Sequence, residues 1–110
     1  MMKLALSTAA AGLLRALLGR AGVSRDRILL TEFRSVDWNS LTFSGERHAI
    51  DLRIPGPGAA IVCDSLLSGL DDAEFAIPGQ TVADIAVASV PRQNPDGSIS
   101  ARIEALTIAE

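Results

Sequence analysis

The chain has 110 residues and a formal net charge of −3, and 48% of its residues are hydrophobic. This length suits one domain spanning residues 1–110, and the apolar content excludes a disordered chain. The single cysteine, Cys63, excludes an internal disulfide framework and a multi-cysteine zinc site, and we expect a buried, inert thiol in a cytoplasmic protein. The excess of arginine and alanine is typical of a GC-rich genome, which we take to be bacterial.

Charge is unevenly distributed along the chain. Residues 1–27 contain five basic residues and one acidic residue, whereas the remainder contains five basic and twelve acidic residues. The ordinary interpretation is a solvated helix face, and the alternative is peripheral contact of a basic, apolar N-terminal helix with an anionic membrane. The acidic total disfavours a nucleic-acid partner, because phosphate contacts require clustered Lys and Arg.

An apolar segment opens the chain, and we predict a helix over Lys3–Gly19 that Gly22 ends. Its start resembles a secretory signal, but Arg15 interrupts the apolar run and no convincing cleavage site follows. The run is also too short for a transmembrane helix. Helical spacing divides the segment into two apolar faces. The leucine face contains Leu6, Leu13, Leu14, Leu17 and Leu18, and the small-residue face contains Ala5, Ala9, Gly12, Ala16 and Gly19.

Strands are predicted next. Arg27–Arg34 is rich in apolar and β-branched residues, and the stretch 35–39 is either a link or the start of another strand. Alternation predicts a hairpin whose turn is Ser44–Arg47, with glycine at its centre. We expect one face of this hairpin to be shared by Leu41, Phe43, His48, Ile50, Leu52 and Ile54.

The second half of the chain is again predicted to form a helix followed by strands. Apolar residues from Ala59 to Leu70 recur at helical spacing, so a helix is predicted near residues 58–69, with Gly69 placed to end it. The stretch Glu74–Ile77 is compatible with a short strand. Longer strands are predicted at Thr81–Val90 and Ser98–Ile108, joined by a polar, proline-rich loop.

These elements predict the α+β class, in the order α-β-β-β-α-β-β. Local connections between strands favour one antiparallel, or alternatively mixed, sheet of about five or six strands packed against two helices.

Motifs for chemistry are missing from the sequence. It contains no phosphate-binding P-loop, no HExxH zinc motif and no GxSxG elbow, and Gly56-Pro57-Gly58 fits a dinucleotide turn poorly. We therefore predict no cofactor, no bound metal and no catalytic residue. His48 is the only histidine, and its predicted place beside Ile50 favours a structural role at the rim of the core over that of a catalytic base.

Two further residues have two interpretations each. Asp84 interrupts an apolar strand, either to protect a sheet edge from unwanted pairing or as a buried acid with a raised pKa. Trp38 is expected either on the polar face of the hairpin, near Asp51 and Arg53, where it anchors an interface, or in the core. For Glu32 we expect a solvated side chain.

Two classes of function follow from these features. The first, which we favour, is a non-enzymatic interaction domain that forms a two-fold homodimer through Ala5, Ala9, Gly12 and Ala16, with Trp38 as a further contact. The second is a small-molecule-binding domain or enzyme that uses a cavity between sheet and helices, with His48 and Asp84 or Glu32 as its polar groups. The first predicts a filled sheet face, and the second an empty, polar cavity.

Overall fold

A computed structural model of the chain describes residues 6–110, which form two α-helices and five β-strands. The elements are α1 (Thr8–Ala21), β1 (Leu29–Asn39), β2 (Ser44–Ile54), α2 (Ala59–Leu67), β3 (Gln80–Val87), β4 (Arg92–Gln93) and β5 (Ile99–Ala109). Short 3-10 turns lie at Arg25–Arg27 and Leu70–Asp72. The predicted α+β class with two helices is confirmed, and the observed order is α-β-β-α-β-β-β.

All the strands belong to one antiparallel sheet. The strand order is β1-β2-β5-β3, and the two residues of β4 pair with β5 beside β3. One face of the sheet is apolar because inward positions alternate along each strand. Ile50 illustrates this register, since it lies opposite Phe33 on one side and Ile103 on the other, and all three side chains are buried.

The β1–β2 hairpin differs from the prediction in the position of its turn. β1 continues through the stretch 35–39 as a single strand, and the turn is Ser40–Phe43 instead of Ser44–Arg47. The apolar residues Leu41 and Phe43 are therefore exposed at the tip and do not share the buried face. The Ser40 side chain stabilises this tip, because its Oγ accepts hydrogen bonds from the N–H groups of Thr42 and Phe43.

Helix α1 begins at Thr8, after Ser7, and not at Lys3; residues Lys3–Ala5 lie outside the described residues. Ser7 Oγ accepts a hydrogen bond from the N–H of Ala10 at 3.1 Å, which satisfies one of the free donors of the first turn. The same hydroxyl donates to Glu46 at 2.7 Å and so ties the start of α1 to β2. Gly22 ends the helix in the left-handed conformation, as predicted.

Helix α2 confirms the apolar face that helical spacing predicted from Ala59 onward. Val62, Cys63 and Leu66 are buried against the sheet, and burial raises the pKa of the Cys63 thiol. The guanidinium of Arg20, in the last turn of α1, donates to the carbonyl oxygens of Leu66 and Ser68. One side chain of α1 thus satisfies free carbonyls at the end of α2.

The last third of the chain follows the prediction with small shifts. β3 ends at Val87, and the loop that follows contains the short strand β4. The possible strand at Glu74–Ile77 is reduced to one bridge between Ile77 and Gln80. In the turn before β5, the Asp96 carboxylate accepts hydrogen bonds from the Ser98 hydroxyl and N–H, which lower the pKa of Asp96 to about 2.

Candidate interaction surface

His48 lies at the centre of a polar contact between three strands. Its ring is 2% exposed and points from β2 into the helix-covered face. Nδ1 lies 2.8 Å from the Ser35 hydroxyl on β1, and Nε2 lies 2.8 Å from the Thr107 hydroxyl on β5. The ring also meets Phe33 edge to face, with 5.7 Å between centroids. Because both ring nitrogens have hydrogen-bond partners, the geometry suits a residue that joins strands.

Burial lowers the pKa of His48 below its usual value of 6.5, and the nearby Glu46 carboxylate only partly opposes this effect. The charged imidazolium loses hydration inside the fold, so the neutral ring is favoured. A neutral ring donates through one nitrogen and accepts through the other, and the two neighbouring hydroxyl groups can complement either tautomer.

We expect the protein to lose stability as the pH falls below about 6.5. The unfolded chain takes up a proton at its ordinary pKa of 6.5, whereas His48 in the folded chain does so only at lower pH. The contribution of His48 to the free energy of unfolding is therefore fully present above the pKa of the unfolded chain. Each pH unit below that value lowers the free energy of unfolding by at most about 1.4 kcal/mol, until the pKa of the folded chain is reached.

Urea unfolding of the wild type and of His48→Gln at several pH values measures this loss. The variant cannot titrate at this position, so its free energy of unfolding should vary less with pH in this range. Parallel curves for the two proteins would show that His48 does not titrate differently in the folded and unfolded states.

The structure separates the polar residues of the predicted cavity. His48 points to the inner face, whereas Asp84 and Glu32 are exposed, with Asp84 opposite Leu106 on the outer face of β5. Among residues 6–110, no group of three or more His, Cys, Asp or Glu side chains is placed to hold a metal ion. These three residues therefore form no common site.

The small-residue face of α1 is largely covered within the chain. Ala9 is only 5% exposed, and a Cβ added to Gly12 would lie 2.7 Å from Cγ2 of Ile77, which packs across the helix at that point. Ala16 is half-buried and packs on the core, and Ala5 lies outside the described residues. The expectation that this face is open to a second chain does not fit this packing.

A different side of α1 forms an apolar groove of about 520 Å³. Its apolar walls come from Leu6, Leu14, Leu18 and Val23, and Arg15 lies at its border. The leucine face is thus divided, because Leu13 and Leu17 are completely buried while Leu14 and Leu18 are only partly buried.

The β1–β2 hairpin carries most of the large apolar side chains that the described residues expose. The large hydrophobic residues on the surface of residues 6–110 are Leu29, Val36, Leu41, Phe43, Ile61 and Val90, and the first four belong to β1 and its turn. Val36 is 61% exposed in the middle of β1. These four side chains are spaced along one edge of the sheet, so a partner strand lying on β1 would pass beside each of them.

Trp38 adds to this surface. It is half-buried on the outer, polar face of the hairpin, as in the first interpretation, but it lies opposite Gly45 and not near Asp51 or Arg53. Asp51 instead lies opposite Glu32 and receives two hydrogen bonds from Arg102, which lower the pKa of its carboxyl group. Because Gly45 has no side chain, the outer face beside Trp38 is left uncovered by its partner strand.

The two edges of the sheet are protected to different degrees. β3 has eight residues, a bulge between Val82 and Asp84, and the exposed carboxylate of Asp84. Bulges and charges of this kind discourage pairing with another chain, which fits the interpretation of Asp84 as a residue that protects a sheet edge. β1 has eleven residues, no proline, and a bulge only near its start, between Leu30 and Glu32, and its charged residues Glu32, Arg34 and Asp37 alternate in sign. Sequence patterns missed this open edge because edge position depends on strand order.

The outer face also contains a polar cleft of about 450 Å³. Its polar lining includes Asp51, Arg92, Ser100 and Arg102. Arg102 is engaged by Asp51, at 2.6 Å and 2.8 Å, whereas the Arg92 side chain is exposed.

Neither helix within residues 6–110 is long and apolar enough to cross a membrane. Comparison with known proteins matches the chain to no protein family, and no curated protein sequence is similar to it.

Proposed function

We propose that this protein is a non-enzymatic interaction domain that associates with itself as a two-fold dimer. The observation that carries the proposal is the long edge of β1, which is open among residues 6–110 and lies next to the exposed residues Val36, Leu41 and Phe43. An unpaired edge strand offers a row of backbone donors and acceptors, and adjacent apolar side chains add a hydrophobic contribution when they are covered.

The chemistry of the inner face supports the same proposal. The side chain of His48 is held on both sides by hydroxyl groups, and the apolar side chains of both helices fill the space beneath the sheet. Among the described residues, every buried side-chain nitrogen or oxygen has a hydrogen-bond partner. Such an interior serves as a rigid support for an outer surface.

We expect sedimentation equilibrium to show a mass that rises with concentration from that of the 11.5 kDa chain to twice this value. The range from about 1 to 100 µM covers the dissociation constants of ordinary transient dimers. A mass that stays at 11.5 kDa throughout would refute self-association.

Small-molecule binding is the second candidate, and the polar cleft is the observation that favours it. A volume of about 450 Å³ suits a small ligand, and Arg92 and Arg102 favour an anionic one. Thermal unfolding with increasing concentrations of inorganic phosphate or of a dicarboxylate tests this candidate. The same measurement on Arg92→Ala is the comparison. A rise in Tm that the variant lacks would support it.

We further propose a cytoplasmic location in a bacterial cell, which the free, buried thiol of Cys63 supports. The alternative is peripheral membrane contact through α1, and the apolar groove beside Arg15 is the surface that favours it. Fractionation of cells that produce the protein distinguishes the two locations.

A further inference from the structure

The free edge of β1 presents a defined set of backbone groups. At the hairpin tip the N–H of Ser40 donates to the carbonyl oxygen of Phe43. Residues that exchange hydrogen bonds alternate along an antiparallel pair, so the even-numbered residues of β1 from Glu32 onward bond to β2. The N–H and C=O groups of the odd-numbered residues, from Phe33 to Asn39, therefore point toward the open edge.

The side chains of this edge complement a second copy of themselves in one register. When Val36 lies opposite Val36 of an antiparallel second strand, Arg34 lies opposite Trp38 on the outer face, twice by symmetry. A guanidinium over an indole ring is a favourable cation–π contact. On the inner face, Ser35 lies opposite Asp37, and its hydroxyl group can accept from the Nδ1–H of His48 while it donates to the carboxylate.

Neighbouring registers are poorer. A shift that centres the pair on Arg34 or on Asp37 places two like charges directly opposite each other, which is unfavourable. Centring on Ser35 puts the Glu32 carboxylate opposite the Trp38 ring and extends the pairing toward the bulge at the start of β1. The register centred on Val36 uses only the regular part of the strand, from Phe33 to Asn39.

We propose that two copies of this chain join edge to edge through β1, antiparallel and centred on Val36, to form one continuous sheet. This inference rests on the proposed self-association and specifies the surface and the register. The helices of both copies lie on the same side of the joined sheet, since the two-fold axis is perpendicular to it. The exposed Leu41 at each hairpin tip is directed toward the Leu29 end of the other strand.

Disulfide formation between cysteines introduced on β1 tests the register. In non-hydrogen-bonded antiparallel pairs the Cα atoms are about 4.5 Å apart, so Val36→Cys should form a disulfide-linked dimer under mild oxidation. Arg34→Cys should not, because the two copies of this position are about 13 Å apart in the same register. Val90→Cys is the control, as it changes a still more exposed valine away from β1.

A second variant tests the edge without a disulfide. Asp37→Pro removes an N–H that points to the open edge, and proline is tolerated on edge strands. We expect the dissociation constant of the dimer to rise at least about tenfold, because two hydrogen bonds are lost per dimer. Val90→Pro, outside the strands, should leave it unchanged.

The outcomes separate this inference from the proposed function. A wild-type dimer that is linked through Val36→Cys and weakened by Asp37→Pro supports both. A wild-type dimer that shows neither effect overturns the β1 pairing while self-association stands, and the groove on α1 then becomes the surface to test. A chain that remains monomeric at all concentrations overturns both. A strand of a different protein would then be the partner to test at the β1 edge.

Discussion

Replacing Leu66 by alanine is expected to lower the free energy of unfolding by about 2–5 kcal/mol. Leu66 is 0% exposed and lies on α2 among the side chains that join the helix to the sheet. The loss has two parts: the smaller side chain gains less free energy from burial, and a cavity is left behind. The size of the second part depends on how far the neighbouring atoms relax. Urea unfolding, followed by circular dichroism, measures the difference.

Ile61→Ala is the matched control on the same helix. Ile61 is 74% exposed, so its removal should change the free energy of unfolding by no more than about 0.5 kcal/mol. Equal losses for the two variants would mean that α2 does not pack on the sheet through the Val62–Leu66 side.

Gly45→Ala is expected to destabilise the protein by about 3 kcal/mol. An added Cβ would lie 2.0 Å from the carbonyl oxygen of Thr107 on β5, so the backbone of β2 or β5 would have to move. Backbone atoms cannot rotate away as the end of a flexible side chain can, and the neighbouring pair between Glu46 and Thr107 would be disturbed.

The matched control is Gly19→Ala, in the last part of α1. No atom outside the neighbouring backbone of the helix lies within 4 Å of a Cβ at that position, and alanine favours helix over glycine by up to about 1 kcal/mol. The same chemical change should therefore stabilise the protein at one site and destabilise it at the other. Thermal unfolding shows this as shifts of Tm in opposite directions, and a shift in the same direction would contradict the close approach of β5 to Gly45.

Local patterns predicted those parts of the fold that local interactions determine. Helical spacing from Ala59 onward identified the buried side of α2, and alternation from His48 to Ile54 identified the inner face of β2. The hairpin turn was misplaced because Gly45 resembles a turn residue. Its lack of a side chain is explained instead by the Thr107 carbonyl oxygen, which belongs to a strand far away in the sequence.

The candidate surface was harder to predict for the same physical reason. The small residues of α1 suggested a contact with another helix, but Gly12 is covered by Ile77 from a later loop. Nothing in the composition of β1 distinguishes an edge strand from a central one. Its open edge follows from the insertion of β5 between β2 and β3, which leaves β1 with β2 as its partner in the sheet.

The position of β5 also affects when the protein can fold during translation. β5 follows every other strand in the sequence, yet it lies between β2 and β3 at the centre of the sheet. Before β5 leaves the ribosome, β3 has no strand beside it, and the edge of β2 that pairs with β5 in the native sheet has no partner. Such a nascent chain exposes apolar surface and depends on contacts of large sequence separation, which form slowly. We therefore expect the native sheet to assemble only after β5 has been synthesised, with molecular chaperones able to bind the incomplete chain until then.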